Sequence, residues 1–266
     1  MKSALQLMTV LFLAVFLCTT GASAAYMIDD NYVGRAERTG GDAYRGDVIG
    51  DSSIFNIFGA DIYKSGTNLV VDIFTNFAER GDDGLYRGLT ADRNGDQRGD
   101  GIGYGDLFLN NTWTPSGTAS DKYLTDSFIS NQRTEWSFAF VLDDQWGNGG
   151  NGSLYAIQRA NILLSEHFMT GGYYRNGQEV GVNTANLTAL ATGTWAVTNG
   201  KITFTLPYIS QFNGWNDIAI HWGQTCGNDV IEGSVTNPVP EPASMLLLGT
   251  GLMGLAGVGR KKLFKK

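Results

Sequence analysis

An acidic, glycine-rich stretch of the chain, residues 78–106, contains four residues whose types and spacing suit a metal ion. Asp92, Asn94 and Asp96 alternate along the chain, and Asp100 follows them. Calcium takes about six to eight oxygen ligands from carboxylates, amides and carbonyl groups on a flexible loop. Gln97, however, stands where the calcium loop of helix–loop–helix proteins needs a glycine for its turn. The sequence therefore leaves two interpretations, a calcium site and a solvated loop rich in turns.

A second group combines an imidazole, a thiol and a carboxylate within a short segment, at His221, Cys226 and Asp229. A thiol hydrolase needs a cysteine paired with a histidine that a third group orients. His221 follows the alternating residues "IAIHW", so it occupies one position on a sheet face. We therefore expect a packed, hydrogen-bonded histidine and a small buried cysteine, and we assign no catalytic residue.

Tryptophans in glycine- and asparagine-rich loops form a third group. Trp113 and Trp146 are the candidates for stacking on a sugar, because an indole combines a flat apolar face with a polar nitrogen. Trp215 and Trp222 lie in similar surroundings. Tryptophan is also common in protein cores, so the alternative is that these rings are buried.

The clearest signal for an element that could position such groups is a hairpin at "GTWAVTNGKITFTLP". Its Asn-Gly pair is preferred in a two-residue type I′ turn, where both central residues take positive φ. This turn places Val197 opposite Ile202 and Trp195 opposite Phe204, with all four side chains on one face.

Further strands are predicted at short intervals, over 57–63, 68–76, 104–109, 135–142, 153–158 and 217–222. The segment "NILLSEHFM" suits a helix or a strand equally well. Many short strands, 36 glycines and only 5 prolines favour an all-β fold. We predict an antiparallel, jelly-roll-like β-sandwich over residues 25–236.

The first 24 residues are typical of a cleavable signal helix. One lysine precedes an apolar stretch from Leu5 to Leu17, and Ala22-Ser23-Ala24 offers small residues for cleavage. The apolar stretch is too short to span a membrane permanently. We therefore expect export through the Sec translocon.

Residues 237–266 contain three ordered features: a Pro-Glu-Pro motif, an uncharged run over 243–258, and a basic end. At about 1.5 Å per residue, a helix over the run would cover about 24 Å. The hydrocarbon core of a bilayer is about 30 Å thick, so this is a short transmembrane helix. Its basic end should stay in the cytoplasm. The residues that define the segment are Pro240, Glu241, Pro242, Arg260, Lys261 and Lys262.

This C-terminal segment resembles the PEP-CTERM sorting signal of Gram-negative bacteria. The resemblance implies recognition by an exosortase, a membrane enzyme that removes the tail near the Pro-Glu-Pro motif. The body would be anchored in the inner membrane transiently and then reach the cell surface or an exopolysaccharide matrix. The body also resembles a group of PEP-CTERM surface proteins without an assigned reaction, through stretches such as "WSFAFVLDD" and "IAIHWGQTCGNDVIEG".

The charge of the body limits its partners. The whole chain has 19 basic and 26 acidic residues, a formal net charge of −7. Residues 25–240 exclude Glu241 and six basic residues near the two ends. They retain 13 basic and 25 acidic residues, a net charge of −12. So acidic a body is not expected to bind nucleic acid.

These observations favour a non-enzymatic surface or matrix protein with no certain cofactor. The alternative is a glycan-binding β-sandwich, assisted by calcium.

Overall fold

The computed structural model describes residues 26–35, 44–128 and 133–237. The predicted signal helix over residues 1–24 and the predicted transmembrane helix over 243–258 lie outside the described residues. So do the sorting residues Pro240, Glu241, Pro242, Arg260, Lys261 and Lys262. In the part of the chain that is described, no helix is both long enough and apolar enough to cross a membrane.

Twelve strands and one short α-helix make up most of the described chain, together with single turns of 3-10 helix. The helix α1 covers Ser52–Phe55 and is capped by the side chain of Asp51. The strands are β1 (Tyr26–Asp29), β2 (Ile57–Ser65), β3 (Asn68–Thr75), β4 (Leu107–Asn110), β5 (Phe138–Leu142), β6 (Gly149–Ala156), β7 (Ile162–Leu164), β8 (Glu179–Val182), β9 (Ala191–Thr198), β10 (Lys201–Pro207), β11 (Asp217–Gly223) and β12 (Val230–Thr236).

Ten strands form one hydrogen-bonded sheet in the order β1-β2-β3-β10-β9-β6-β5-β4-β11-β12, and β7 pairs with β8. Every pairing is antiparallel. The sheet curls so far that its two end strands meet. The contact is visible where the side chain of Ile28 in β1 packs against Gly233 in β12. The predicted all-β, antiparallel architecture is confirmed. A jelly roll has two separate sheets, whereas here ten strands form one continuous hydrogen-bonded sheet. The fold therefore has both sandwich and barrel character.

The predicted β9–β10 hairpin has the expected register. Trp195 pairs with Phe204 and Val197 with Ile202. Trp195, Phe204 and Ile202 are buried, and Val197 packs against the same core. Gly200 has φ +73°, which a residue with a β-carbon adopts only at a cost.

Two hydrophobic core clusters pack against the faces of the curled sheet. In the larger cluster, the ring of Tyr104 lies between those of Phe77 and Trp195. The ring centroid of Tyr104 is 5.3 Å from each of the other two. Burial of each such aromatic side chain stabilises the fold by about 1.5–3 kcal/mol. The sheet therefore has an aromatic core that needs no covalent cross-link.

Asp106, just before β4, links β4 and β5 of the large sheet to β8 of the small one. Its carboxylate accepts hydrogen bonds from the main-chain N–H groups of Leu142 at 3.0 Å and Val182 at 2.9 Å, and from Gln145 Nε2 at 3.3 Å. Burial raises the pKa of Asp106 to about 7, although these hydrogen bonds favour the charged form. The predicted strand 104–109 therefore begins only at Leu107, because the residue before it serves as this junction.

Candidate functional site: the cavity beside Trp146

A cavity of about 550 Å³ opens at the end of β5, and two groups of residues singled out in the sequence meet there. Trp146 lies on one wall, within the segment Leu142–Trp146. The acidic stretch forms the opposite wall. The lining side chains from that stretch are Arg87, Arg93, Asn94, Asp96 and Asp100. A cavity of this size is large enough for a small ligand such as one or two sugar units.

The indole of Trp146 is held in place by the acidic stretch. Its Nε1 donates a hydrogen bond to the carbonyl oxygen of Gly101 at 3.0 Å. The absence of a side chain at Gly103 allows this approach. A β-carbon there would lie 2.5 Å from the carbonyl oxygen of Gln145 and 3.0 Å from Trp146 Nε1. The ring is therefore a pre-ordered wall of the cavity, half-buried rather than mobile on the surface.

The predicted calcium residues already bind main-chain amides. Asp92 accepts hydrogen bonds from the N–H groups of Gly95 and Gln97 at 2.7 Å each and of Asp96 at 3.2 Å. Asn94 accepts from the N–H of Asp96 at 2.9 Å. These bonds are the asparagine- and aspartate-based turns expected of a solvated loop. Calcium binding at Asp92, Asn94, Asp96 and Asp100 stays a prediction.

Three of the four acids that line the cavity keep one carboxylate oxygen bound and one available. Asp96 accepts from the N–H of Arg98, Asp100 from the N–H of Arg93, and Asp144 from the N–H of Trp146, at 2.9, 2.9 and 3.0 Å. Each bond uses a single oxygen. The second oxygens make no hydrogen bond to the part of the chain that is described, so they can interact with a ligand or with water.

The other predicted ligand residue, Trp113, lies in a separate cavity of about 470 Å³. This cavity is bordered by residues of β1 and of β12, the two end strands of the sheet, and by Tyr123. The Trp113 and Tyr123 rings meet edge to face, 5.1 Å apart, and Trp113 Nε1 donates to Glu232 Oε1 at 2.8 Å. The structure thus does not bring Trp113 and Trp146 together.

Beneath Trp113 lies a buried acid–base network that sequence reasoning did not identify. Glu232 Oε1 also accepts from Thr134 Oγ1 at 3.0 Å, and its Oε2 lies 3.0 Å from His221 Nδ1. His221 Nε2 lies 2.8 Å from the carbonyl oxygen of Glu179. Burial lowers the pKa of His221, but the hydrogen bond and charge of Glu232 and the charge of Glu179 outweigh it and raise the pKa.

Two further buried acidic groups extend this picture. Burial, with the charges of Glu232 and Glu179, raises the pKa of Asp126 to about 9. Burial also raises the pKa of Glu179, whose carboxylate lies 3.3 Å from Arg133. The pKa of Asp126 therefore lies above neutral pH, so its carboxyl group holds a proton that it would lose in water.

A second acidic group gathers Asp30, Asp47 and Asp229, whose carboxylate oxygens lie within 4.8 Å of one another. Lys122 Nζ lies 3.3 Å from Asp47 Oδ1, and the fully buried Arg175 donates to the carbonyl oxygen of Asp47 at 2.6 Å. Burial and the charge of Asp47 raise the pKa of Asp30 to about 8. The three acids could hold a metal ion by geometry, but two cations already lie beside them. Their separation along the chain hides the group from sequence reasoning.

The predicted roles of His221 and Cys226 as packed residues agree with their surroundings. Both are fully buried, and burial raises the pKa of the Cys226 thiol to about 12. Asp229 instead accepts hydrogen bonds from the N–H groups of Ile57 and Val230. Trp222 is also fully buried, donating to the carbonyl oxygen of Gly105.

Comparison with known families agrees with the resemblance found in the C-terminal segment. A model of the PEP-CTERM protein-sorting motif matches residues 238–261. Comparisons of the chain with curated proteins and with solved structures give no match. The motif indicates export, cell-surface sorting and processing by an exosortase in general. This protein therefore contains a PEP-CTERM sorting motif, which follows its β-rich body.

Proposed function

We propose that this chain is a non-enzymatic surface or extracellular-matrix protein of a Gram-negative bacterium. The Sec translocon exports it after recognition of residues 1–24, and its C-terminal segment anchors it transiently in the inner membrane. An exosortase then cleaves near Pro240-Glu241-Pro242 and releases the body. The match over residues 238–261 is the observation that carries this proposal. The acidic body and its disulfide-independent core are compatible with it.

The test is the intact mass of the protein recovered from the cell surface and from the medium. We expect a body that lacks both residues 1–24 and everything after the Pro-Glu-Pro motif. A variant with Glu241→Ala should keep its tail and stay with the inner membrane, whereas Glu135→Ala, an exposed change in the body, should be processed normally. Surface protein with a full-length tail would contradict transient anchoring.

A second function, glycan binding, is favoured by the cavity beside Trp146. A pre-ordered indole, polar side chains on the facing wall and unused carboxylate oxygens are the combination that sugars need. Their apolar faces stack on aromatic rings, and their hydroxyl groups donate hydrogen bonds. A body delivered to a polysaccharide matrix would meet such ligands at high local concentration.

Titration calorimetry with oligosaccharides tests this second function. Trp146→Ala should reduce affinity about 5- to 150-fold, since a lost stacking contact is worth about 1–3 kcal/mol. Trp113→Ala is the matched control, because it makes the same change in the other cavity. Repeating each titration after chelation shows whether calcium assists. Equal loss from both substitutions would place the glycan elsewhere.

A further inference from the structure

We infer that the cavity beside Trp146 selects glycans whose sugars carry protonated amino groups, as in polymers of 2-amino sugars. This inference rests on the glycan-binding function proposed above and names the class of sugar. It is carried by the aromatic wall, by the charges around the cavity and by the way its cationic side chains are held.

Acidic side chains outnumber basic ones around the cavity. Two carboxylates come from the acidic stretch, at Asp96 and Asp100, and two from the end of β5, at Asp143 and Asp144. They approach from both walls, so a bound sugar would lie between them. Against these four acids stand only two basic side chains, which leaves a formal charge of −2 at the lining.

The two basic side chains are held against the surface of the protein itself. The guanidinium carbon of Arg93 lies 4.6 Å from the ring centroid of Phe168, a cation–π contact. Arg87 lies directly against Gly84, where a β-carbon would overlap its Nε. Because the four carboxylates outnumber these two guanidinium groups, the net charge of the lining disfavours anionic sugars such as uronic acids.

A protonated amine fits the remaining features. It is a compact cation with three donors, and it can bind the unused oxygens of Asp96, Asp100 and Asp144. The sugar ring attached to it can stack on the indole of Trp146. Asp143 is an exposed residue of the lining, so its charge adds attraction for a cation.

The experiment compares oligomers of equal length made of glucosamine, N-acetylglucosamine and galacturonic acid, which are cationic, neutral and anionic. Calorimetry at mildly acidic pH should show tightest binding for the glucosamine oligomer, and this preference should shrink as salt is added. Asp143→Asn should weaken the glucosamine oligomer about threefold and leave the neutral oligomer unchanged, as expected for one exposed charge.

Two controls distinguish binding in the cavity from non-specific electrostatic attraction between a cationic sugar and an acidic protein. Asp82→Asn makes the same change of charge at an exposed residue outside the cavity lining and should alter no affinity. Trp146→Ala should abolish the preference for the glucosamine oligomer. Cationic binding that survives Trp146→Ala, or that Asp82→Asn weakens as much as Asp143→Asn, would overturn the inference.

The remaining outcomes distinguish the two proposals. Equal or tighter binding of the neutral or anionic oligomer at the Trp146 cavity would overturn the choice of sugar and leave glycan binding intact. If none of the three oligomers binds and a broad oligosaccharide panel also fails, glycan binding itself is wrong.

Discussion

Trp146 Nε1 donates a 3.0 Å hydrogen bond to the carbonyl oxygen of Gly101. Because Trp146 follows β5 and Gly101 belongs to the acidic stretch, this bond joins the two walls of the cavity. The orientation of the indole therefore depends on a stretch that looks, in the sequence, like an independent loop.

Stability should fall as the pH rises from about 4 to about 9. Asp106, Asp30 and Asp126 have folded-state pKa values of about 7, 8 and 9, far above the ordinary 3.8. The folded state therefore holds protons that the unfolded chain has lost. Each such group lowers stability by up to about 1.4 kcal/mol per pH unit between its two pKa values. Denaturation in urea at several pH values measures this slope, and a rising or flat profile would contradict it.

Asp126→Asn should reduce that slope. Asparagine resembles the protonated carboxyl group, so the variant should match the parent below about pH 4 and gain on it by up to about 1.4 kcal/mol for each further pH unit up to about pH 9. Asp82→Asn, at an exposed position, should leave the profile unchanged. A loss of stability at every pH would instead mean that the carboxylate of Asp126 stabilises the fold.

Glu232→Gln should destabilise the body by about 3 kcal/mol, because it removes the charge that His221 faces in a buried pair. The pKa of His221, followed by NMR, should fall. Glu135→Gln is the matched control. The carboxylate of Glu135 lies 3.3 Å from the guanidinium group of Arg133, so it too faces a cation. The Glu135 side chain, however, is 60% exposed. Such an exposed pair contributes about 0–1 kcal/mol. Similar costs for the two variants would show that burial does not set the strength of these pairs.

The thiol of Cys226 should resist alkylating and disulfide reagents in the folded protein. It is fully buried, and its pKa of about 12 leaves almost no thiolate at neutral pH. Reaction should follow the rate of unfolding and become fast in denaturant. Rapid modification under native conditions would mean that the surrounding strands open far more often than the rest of the core.

Asp92→Ala should cost about 1 kcal/mol, because three main-chain N–H groups lose their acceptor in an exposed loop. Thermal unfolding with and without millimolar calcium separates this role from ion binding. If Asp92 serves only the turn, the melting temperature of the parent is the same in both. A calcium-dependent rise that Asp92→Ala removes would establish the metal site.

Local signals in the sequence predict local structure well. The β9–β10 register follows from the Asn-Gly turn and the alternation around it, since both act within a few residues. The strands predicted over 57–63 and 68–76 are also found and pair as a hairpin, although β2 extends to Ser65 and leaves only Gly66 and Thr67 in the turn. "NILLSEHFM" becomes β7 followed by a 3-10 turn, because Ile162–Leu164 pairs with β8, a partner the segment does not reveal.

The candidate site is predicted only in pieces. Composition and spacing draw attention to Trp146 and to Asp96, but nothing in the sequence indicates that they face one cavity. The buried acids are harder still. Asp30 and Asp229 come together only when β1 and β12 close the sheet, so their raised pKa values depend on contacts between distant segments.

The contact of Ile28 with Gly233 has a consequence for the proposed export route. On that route β1 would cross the membrane first and would wait for β12, more than 200 residues later, before the sheet could close. Contacts so remote in the chain form slowly. A C-terminal stop in the bilayer would therefore hold the emerging polypeptide beside the membrane during this wait, and release would come only after β12 has cleared the channel.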